Sequence, residues 1–281
     1  MRSDARVPTS LELKEIGIHL VIRPGLTETK LHSKFVNKET IPLALRAKAA
    51  VGAGIAPPSN RELRFFSRSF RTVLEQASFV ATWGPEVLPE EATLLNSLSS
   101  KKRTFSAANL DPVSRPDLFA SEDNWLLSLQ GKSVLVISPF SGSIEHQVPK
   151  LSKLHSAFRM PEMDVTTWAP PVSNGLSSWA QPFSARLAEA REELDSIVSS
   201  DKIDVALISA GAYGPLLAGF LFDKGVSSIH VGGCLQLLFG VMGGRWRQSK
   251  NVLEAVNQHW LDSPLERPPR GARLIEGATY W

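Results

Sequence analysis

The sequence predicts an α/β protein built on a mostly parallel sheet flanked by helices, and three observations predict it. Short apolar runs recur through the second half of the chain: "KSVLVISPF" at 132–140, "EMDVTTW" at 162–168, "KIDVALISA" at 202–210 and "SSIHV" at 227–231. Helical patterns separate them, so strand and helix alternate as parallel βαβ units require. Turns rich in glycine or serine follow several of these runs, at the strand ends where a doubly wound sheet binds its ligands.

Composition bounds the reading. A chain of 281 residues has room for one large α/β domain or two small ones. With 43% hydrophobic and 21% charged residues it belongs with folded globular proteins. The lone Cys234 cannot form an internal disulfide, which suits a reducing compartment. Lys and Arg number 31 against 28 Asp and Glu, a net charge of +3 that is too balanced to mark a nucleic-acid partner. No apolar stretch reaches the roughly 20 residues a membrane-spanning helix needs. The opening "MRSDARVPTS" lacks the apolar core of a signal peptide. A cytoplasmic protein is expected, and peripheral contact with the inner face of the cell membrane is compatible with it.

The elements follow in order. "IGIHLVI" at 16–22 predicts a strand, stopped by Pro24 and Gly25, with Thr27 placed to cap a helix over "ETKLHSKF". Across 58–77, Leu63, Phe66, Phe70, Val73 and Leu74 recur at helical spacing with Arg and Glu between them, the pattern of an amphipathic helix. "SFVATW" at 78–83 predicts a strand and "LPEEATLLNSLS" a helix with its acids near the N-terminus. Residues 104–124 are rich in turn formers and mark a loose boundary. Beyond it, "KSVLVISPF" is the uninterrupted apolar strand of a sheet covered on both faces. "GSIEHQVPKLSKLHSAF" is helical with Pro149 bending or dividing it. "SWAQPFSARLAEAREELDSIVSS", "YGPLLAGFLFDKG" and "NVLEAVNQHW" are the later helical patterns. The chain thus divides into 1–125, a core over 126–250 and a wrapping segment over 251–281.

Three turns carry candidate chemistry. In "ISPFSGSIEHQ", Ser141 and Ser143 open a helix whose free amides could cradle phosphate; a serine-capped helix is the competing reading. In "ISAGAYGPLLAG", Gly214 permits close approach and Tyr213 could stack on a base or sugar, but Ser209 stands where a dinucleotide fingerprint needs its first glycine. No NAD is expected. In "HVGGCLQLLFGVMGGRW", Gly232 and Gly233 precede Gln236, a lone polar side chain that needs partners if buried. Arg245 suits a diphosphate and Trp246 an apolar ring face; a surface arginine beside a core tryptophan is the alternative. The histidines and Cys234 are too scattered for a zinc site, and neither a nucleophile elbow nor a P-loop is present.

The run "DVALISAGAYGPLLAGFLFDKGVSSIHVGGCLQLLFGVMGGRW", with "NQHW" after it and "YW" at 280–281, resembles proteins encoded with bacterial surface-polysaccharide genes. That group is similar to the GT-D class of glycosyltransferases. The resemblance covers 130–281, carried by the GGxxQxxFG and GxRW elements, and extends into 16–83 through "GAGIAPPSNRELRFF" and "RPGLTE". It implies a Rossmann-like core, a nucleotide-sugar donor, a glycan or lipid-linked acceptor, and an acidic motif near the N-terminus for metal or acceptor chemistry. Arg23, Gly25 and Glu28 match the group's Arg-x-Gly-x-x-Glu element, although Pro24 alters its turn and no Asp-x-Glu pair stands beside Glu28. Glu28 is then the expected catalytic carboxylate, with Mg or Mn as candidate cofactor. Arg23, Ser141, Ser143, Tyr213, Gly214, Gly232, Gly233, Gln236, Arg245 and Trp246 are the expected donor-side residues. A noncatalytic nucleotide-binding or assembly protein of a polysaccharide system is the other reading this motif allows.

Overall fold

The computed structural model describes residues 19–112, 115–122, 124–175, 179–275, 277 and 280–281. Among them, seven strands form one sheet: β1 (Leu20–Ile22), β2 (Phe79–Thr82), β3 (Arg103–Ser106), β4 (Ser133–Ile137), β5 (Asp164–Trp168), β6 (Val205–Ile208) and β7 (Ser227–His230). Their order is β3-β2-β1-β7-β6-β4-β5, and each neighbouring pair is parallel. The protein is therefore an α/β, Rossmann-like sheet flanked by helices, as the alternating runs predict.

Strand residues alternate between two cores. Leu20, Ile22, Leu135, Ile137, Ala206 and Ile208 face one; Val21, Val134, Val136, Leu207 and Ile229 face the other. The first is covered by α1 (Leu26–Val36), α2 (Leu43–Val51), α3 (Asn60–Gln76), α7 (Phe183–Ser200) and α8 (Tyr213–Asp223). The second is covered by α6 (Ser141–Gln147), α9 (Leu235–Leu238), α10 (Lys250–Ala255) and single helical turns at Ala107–Leu110 and Trp125–Leu129. Two short helices complete the chain order, α4 (Glu91–Asn96) and α5 (Pro116–Phe119). In α3, Leu63, Phe66 and Phe70 are fully buried, each contributing about 1.5–3 kcal/mol. The Ser59 hydroxyl accepts the Glu62 amide at 3.2 Å and starts that helix.

Several boundaries differ from the expected ones for identifiable reasons. Gly25, not Thr27, is the N-cap of α1, because the Glu28 carboxylate folds back over Gly25 and a β-carbon there would land inside it. Pro149 divides the 142–158 pattern: α6 stops at Gln147 and a tighter turn runs over Val148–Lys153. The helix after Gly233 is only one turn long, since Gly240 at φ +62 turns the chain away. β3 was not anticipated; its single buried residue, Phe105, gives too little apolar signal.

Strand order sets the site. From β4 the chain moves outward to β5, whereas from β6 it moves inward to β7, so the connections diverge between β4 and β6. β1, from which the chain leaves toward β2, lies directly beside β7. A pocket lies on the β4–β6 side, and the carboxyl ends of β1 and β7 form a second edge of the kind at which such sheets hold ligands. The β1–β7 pairing also carries the sheet across the boundary at 125.

Candidate functional site

The second edge lies beyond β1 and β7. Arg23 leaves β1 and donates from Nη1 to the Val231 carbonyl at 3.0 Å. Its guanidinium lies 4.3 Å from the centre of the Trp83 ring, and Trp83 Nε1 donates to the Pro24 carbonyl at 2.8 Å. Gly232, at φ +76, passes so close that any β-carbon there would collide with Arg23 Nη1. The glycine thus admits the arginine. Arg23 Nε is buried without a partner.

Beyond β7, Gln236 is 2% exposed. Its Nε2 donates to the Val241 carbonyl at 3.2 Å and to that of Tyr280 at 3.5 Å, while Oε1 is buried with no partner. Arg245 donates from Nη1 to the Tyr280 hydroxyl at 2.8 Å and lies 5.0 Å from that ring and 5.6 Å from Trp246. Trp246 meets Tyr280 edge-on at 6.1 Å. Gly233 and Gly243 leave space for Tyr280, and the Trp281 ring packs edge-on against Phe140 at 5.6 Å. Trp281 Nε1 is a further buried donor without a partner. Cys234 sits beneath this cluster; burial pushes its thiol up to about 12, which makes it inert.

Glu28 stands in the first turn of α1, one turn beyond Arg23, and is 7% exposed. Burial raises its pKa, opposed only by its own backbone amide. Its carboxylate lies against Gly25, where a β-carbon would collide with it.

The other expected donor residues lie apart from this cluster. The Ser143 amide donates to Glu266 Oε1 at 2.9 Å, its hydroxyl bonds Glu266 Oε2, and the Leu265 amide donates to that hydroxyl at 2.8 Å. The amide and hydroxyl expected to cradle phosphate hold an internal carboxylate instead. Ser141 is half-buried two residues earlier. Tyr213 is buried, its ring 4.5 Å from Phe183 and its hydroxyl 2.9 Å from Ser173 Oγ, so it is a wall of the β4–β6 pocket rather than a stacking platform. Gly214 admits the His230 ring, whose Nε2 would stand 2.5 Å from a β-carbon there. Burial, aided by the Arg23 charge, pushes His230 down to about 3.

Arg23 thus meets Gly232, and Gly233, Gln236, Arg245 and Trp246 gather around Tyr280, whereas Ser143, Tyr213 and Gly214 are engaged elsewhere. Sequence reasoning missed Trp83, Asn174, Glu266 and the central place of Tyr280. For Trp83 a signal existed, an aromatic at a strand's carboxyl end; for Glu266 there was none. Among the described residues no group of three or more His, Cys, Asp and Glu side chains could hold a metal ion, and no helix is long and apolar enough to cross a membrane.

The strand order and pairings define a Rossmann-like α/β protein. No family model matches the chain, and no curated protein matches it. Among solved structures it is similar to a selenomethionine-substituted domain of unknown function 1792, at 12% identity over 86% of each chain with a TM-score of 0.41. The architecture is accordingly assigned from the strand order and pairings alone.

Proposed function

We propose that the protein transfers a sugar from a nucleotide-diphosphate donor to a glycan or lipid-linked acceptor, with the donor at the β1–β7 edge. The observation that carries this reading is a pair of buried polar atoms without partners, Arg23 Nε beyond β1 and Gln236 Oε1 beyond β7. A buried polar group left unmade costs about 1–3 kcal/mol, so two of them at this edge favour a polar ligand that completes them. Arg245 neutralises the diphosphate, and Trp246 with Tyr280 covers a ring face. Glu28 accepts the proton of the acceptor hydroxyl as that oxygen bonds the sugar's anomeric carbon. The bond from that carbon to the diphosphate breaks, and the nucleoside diphosphate leaves with the electron pair.

Among the described residues no group of three or more His, Cys, Asp and Glu side chains could hold a metal ion. Mg or Mn enters this reading only as an ion carried by the donor diphosphate. Acceptor delivery at a membrane surface fits the lipid-linked case.

Calorimetric titration with nucleoside diphosphates, with and without Mg or Mn, tests the reading. Binding is expected, weakened about tenfold or more in a folded Arg245→Ala variant, the scale of a lost charged hydrogen bond. Absence of binding to every nucleoside diphosphate rejects it. A noncatalytic binding or assembly role is favoured by a separate observation: Ser143 and Arg245 already have internal partners in Glu266 and Tyr280. Turnover of a nucleotide sugar, lost in folded Glu28→Gln, rejects that alternative.

A further inference from the structure

The β4–β6 side of the sheet, where the connections from those strands diverge, holds a pocket of about 50 Å³. Its walls are the rings of Pro139, Pro170 and Pro171 with the methyl of Ala210, and no charged side chain lines it among the described residues. A pocket without a cation does not select phosphate or carboxylate. Its size is also informative. An apolar cavity of about 150 Å³ holds benzene, so a third of that volume takes a few heavy atoms and not a sugar ring.

The hydrogen-bonding capacity of the lining can be counted. Ser173 Oγ donates to the Gly54 carbonyl at 2.7 Å, which uses its single proton. Its 2.9 Å contact with Tyr213 is then a bond donated by the tyrosine. Both hydroxyl protons are spent, and what remains toward the pocket is acceptor capacity. Asn174 Oδ1 adds a buried acceptor with no partner. The Asn174 carboxamide also carries two Nδ2 protons, so the occupant that matches this lining offers both an N–H donor and a carbonyl acceptor, carries an apolar surface for the prolines, and is uncharged and small.

An acetamido group meets these conditions in four heavy atoms, with its methyl against the prolines and its N–H toward Asn174 Oδ1. We propose that this pocket receives the acetamido group of an N-acetylated sugar, and so selects the substrate class. The assignment rests on the sugar-transfer reading and names the sugar that reading leaves open.

The test is saturation-transfer NMR on the full chain with methyl N-acetylglucosaminide and methyl glucoside at equal concentration. The acetamido methyl is expected to receive the strongest saturation, and the glucoside to bind about tenfold more weakly, the scale of one good hydrogen bond. Asn174→Leu removes the acceptor and Ala210→Leu fills the space; each is expected to abolish the preference. Asn174→Leu is further expected to raise Tm, because an unsatisfied buried acceptor is removed. That rise separates a ligand-facing asparagine from a structural one and keeps the test valid if Ala210→Leu fails to fold. Equal binding of the two glycosides, no binding of either, or an unchanged preference in folded Asn174→Leu overturns the proposal. Nucleotide sugars turned over equally well with and without the acetamido group overturn it while leaving sugar transfer standing. Acetamido binding in a protein that binds no nucleoside diphosphate leaves the pocket standing and removes the transfer.

Discussion

The Glu266 carboxylate is bonded to both the amide and the hydroxyl of Ser143, residues 123 positions apart in the chain. The first turn of α6 is thereby satisfied from within the protein, and the 265–266 segment is pinned across it.

Ser143→Ala should remove the hydroxyl bonds to Glu266 and the Leu265 amide and leave the backbone amide bond in place. A loss of about 1–3 kcal/mol is expected, with faster proteolytic cleavage near Arg267. Urea denaturation and limited proteolysis measure these; unchanged cleavage would show that the segment is held by other contacts.

Gly232→Ala should destabilise by two routes. A left-handed backbone costs an L-residue roughly 1–2 kcal/mol, and the new β-carbon meets the Arg23 guanidinium. Arg23→Ala removes only the second route. The double-mutant cycle should therefore show coupling of about 0.5–3 kcal/mol between the two sites; additive losses would contradict the close approach.

Glu28 has a raised folded-state pKa, chiefly through burial. Its contribution to stability is fully present below the unfolded carboxyl value and is lost as pH rises through the folded one. Glu28→Gln should match the wild type near pH 4 and become the more stable of the two as pH rises. Parallel denaturation curves at all pH values would mean that the carboxylate is solvated.

Burial pushes His32 and His155 down to about 4 and His230 down to about 3. Their neutral forms support the fold above the unfolded histidine pKa near 6.5, and that support is lost as pH falls through the folded values. Each adds up to about 1.4 kcal/mol per pH unit in that window. The urea midpoint should drop clearly between pH 7 and pH 5, and His230→Asn should flatten that slope. A flat wild-type profile would place the rings in water.

How much of this was legible depended on distance along the chain. β4 and β6 were readable because "VLVI" and "VALI" are apolar on both faces, which only a covered sheet tolerates. β3 was not, because "RTFS" buries one side chain at a sheet edge. Gly214 reads as a close approach in the sequence, but what approaches it is the His230 ring of β7, which only folding brings there. Glu28 could be picked out as a carboxylate, whereas its raised pKa follows from packing no local pattern records. The engagement of Ser143 by Glu266 joins two turns with no shared periodicity. Asn174, in the proline-rich turn after β5, acquires meaning only beside Tyr213.

The pairing of β1 with β7 also bears on how the protein is made. Arg23 and Val231 are 208 positions apart, and at 5–20 residues per second a ribosome needs roughly 10–40 s to synthesise that interval. Throughout it the β1 edge facing β7 lacks its native neighbour, and the sheet closes only once translation has passed His230.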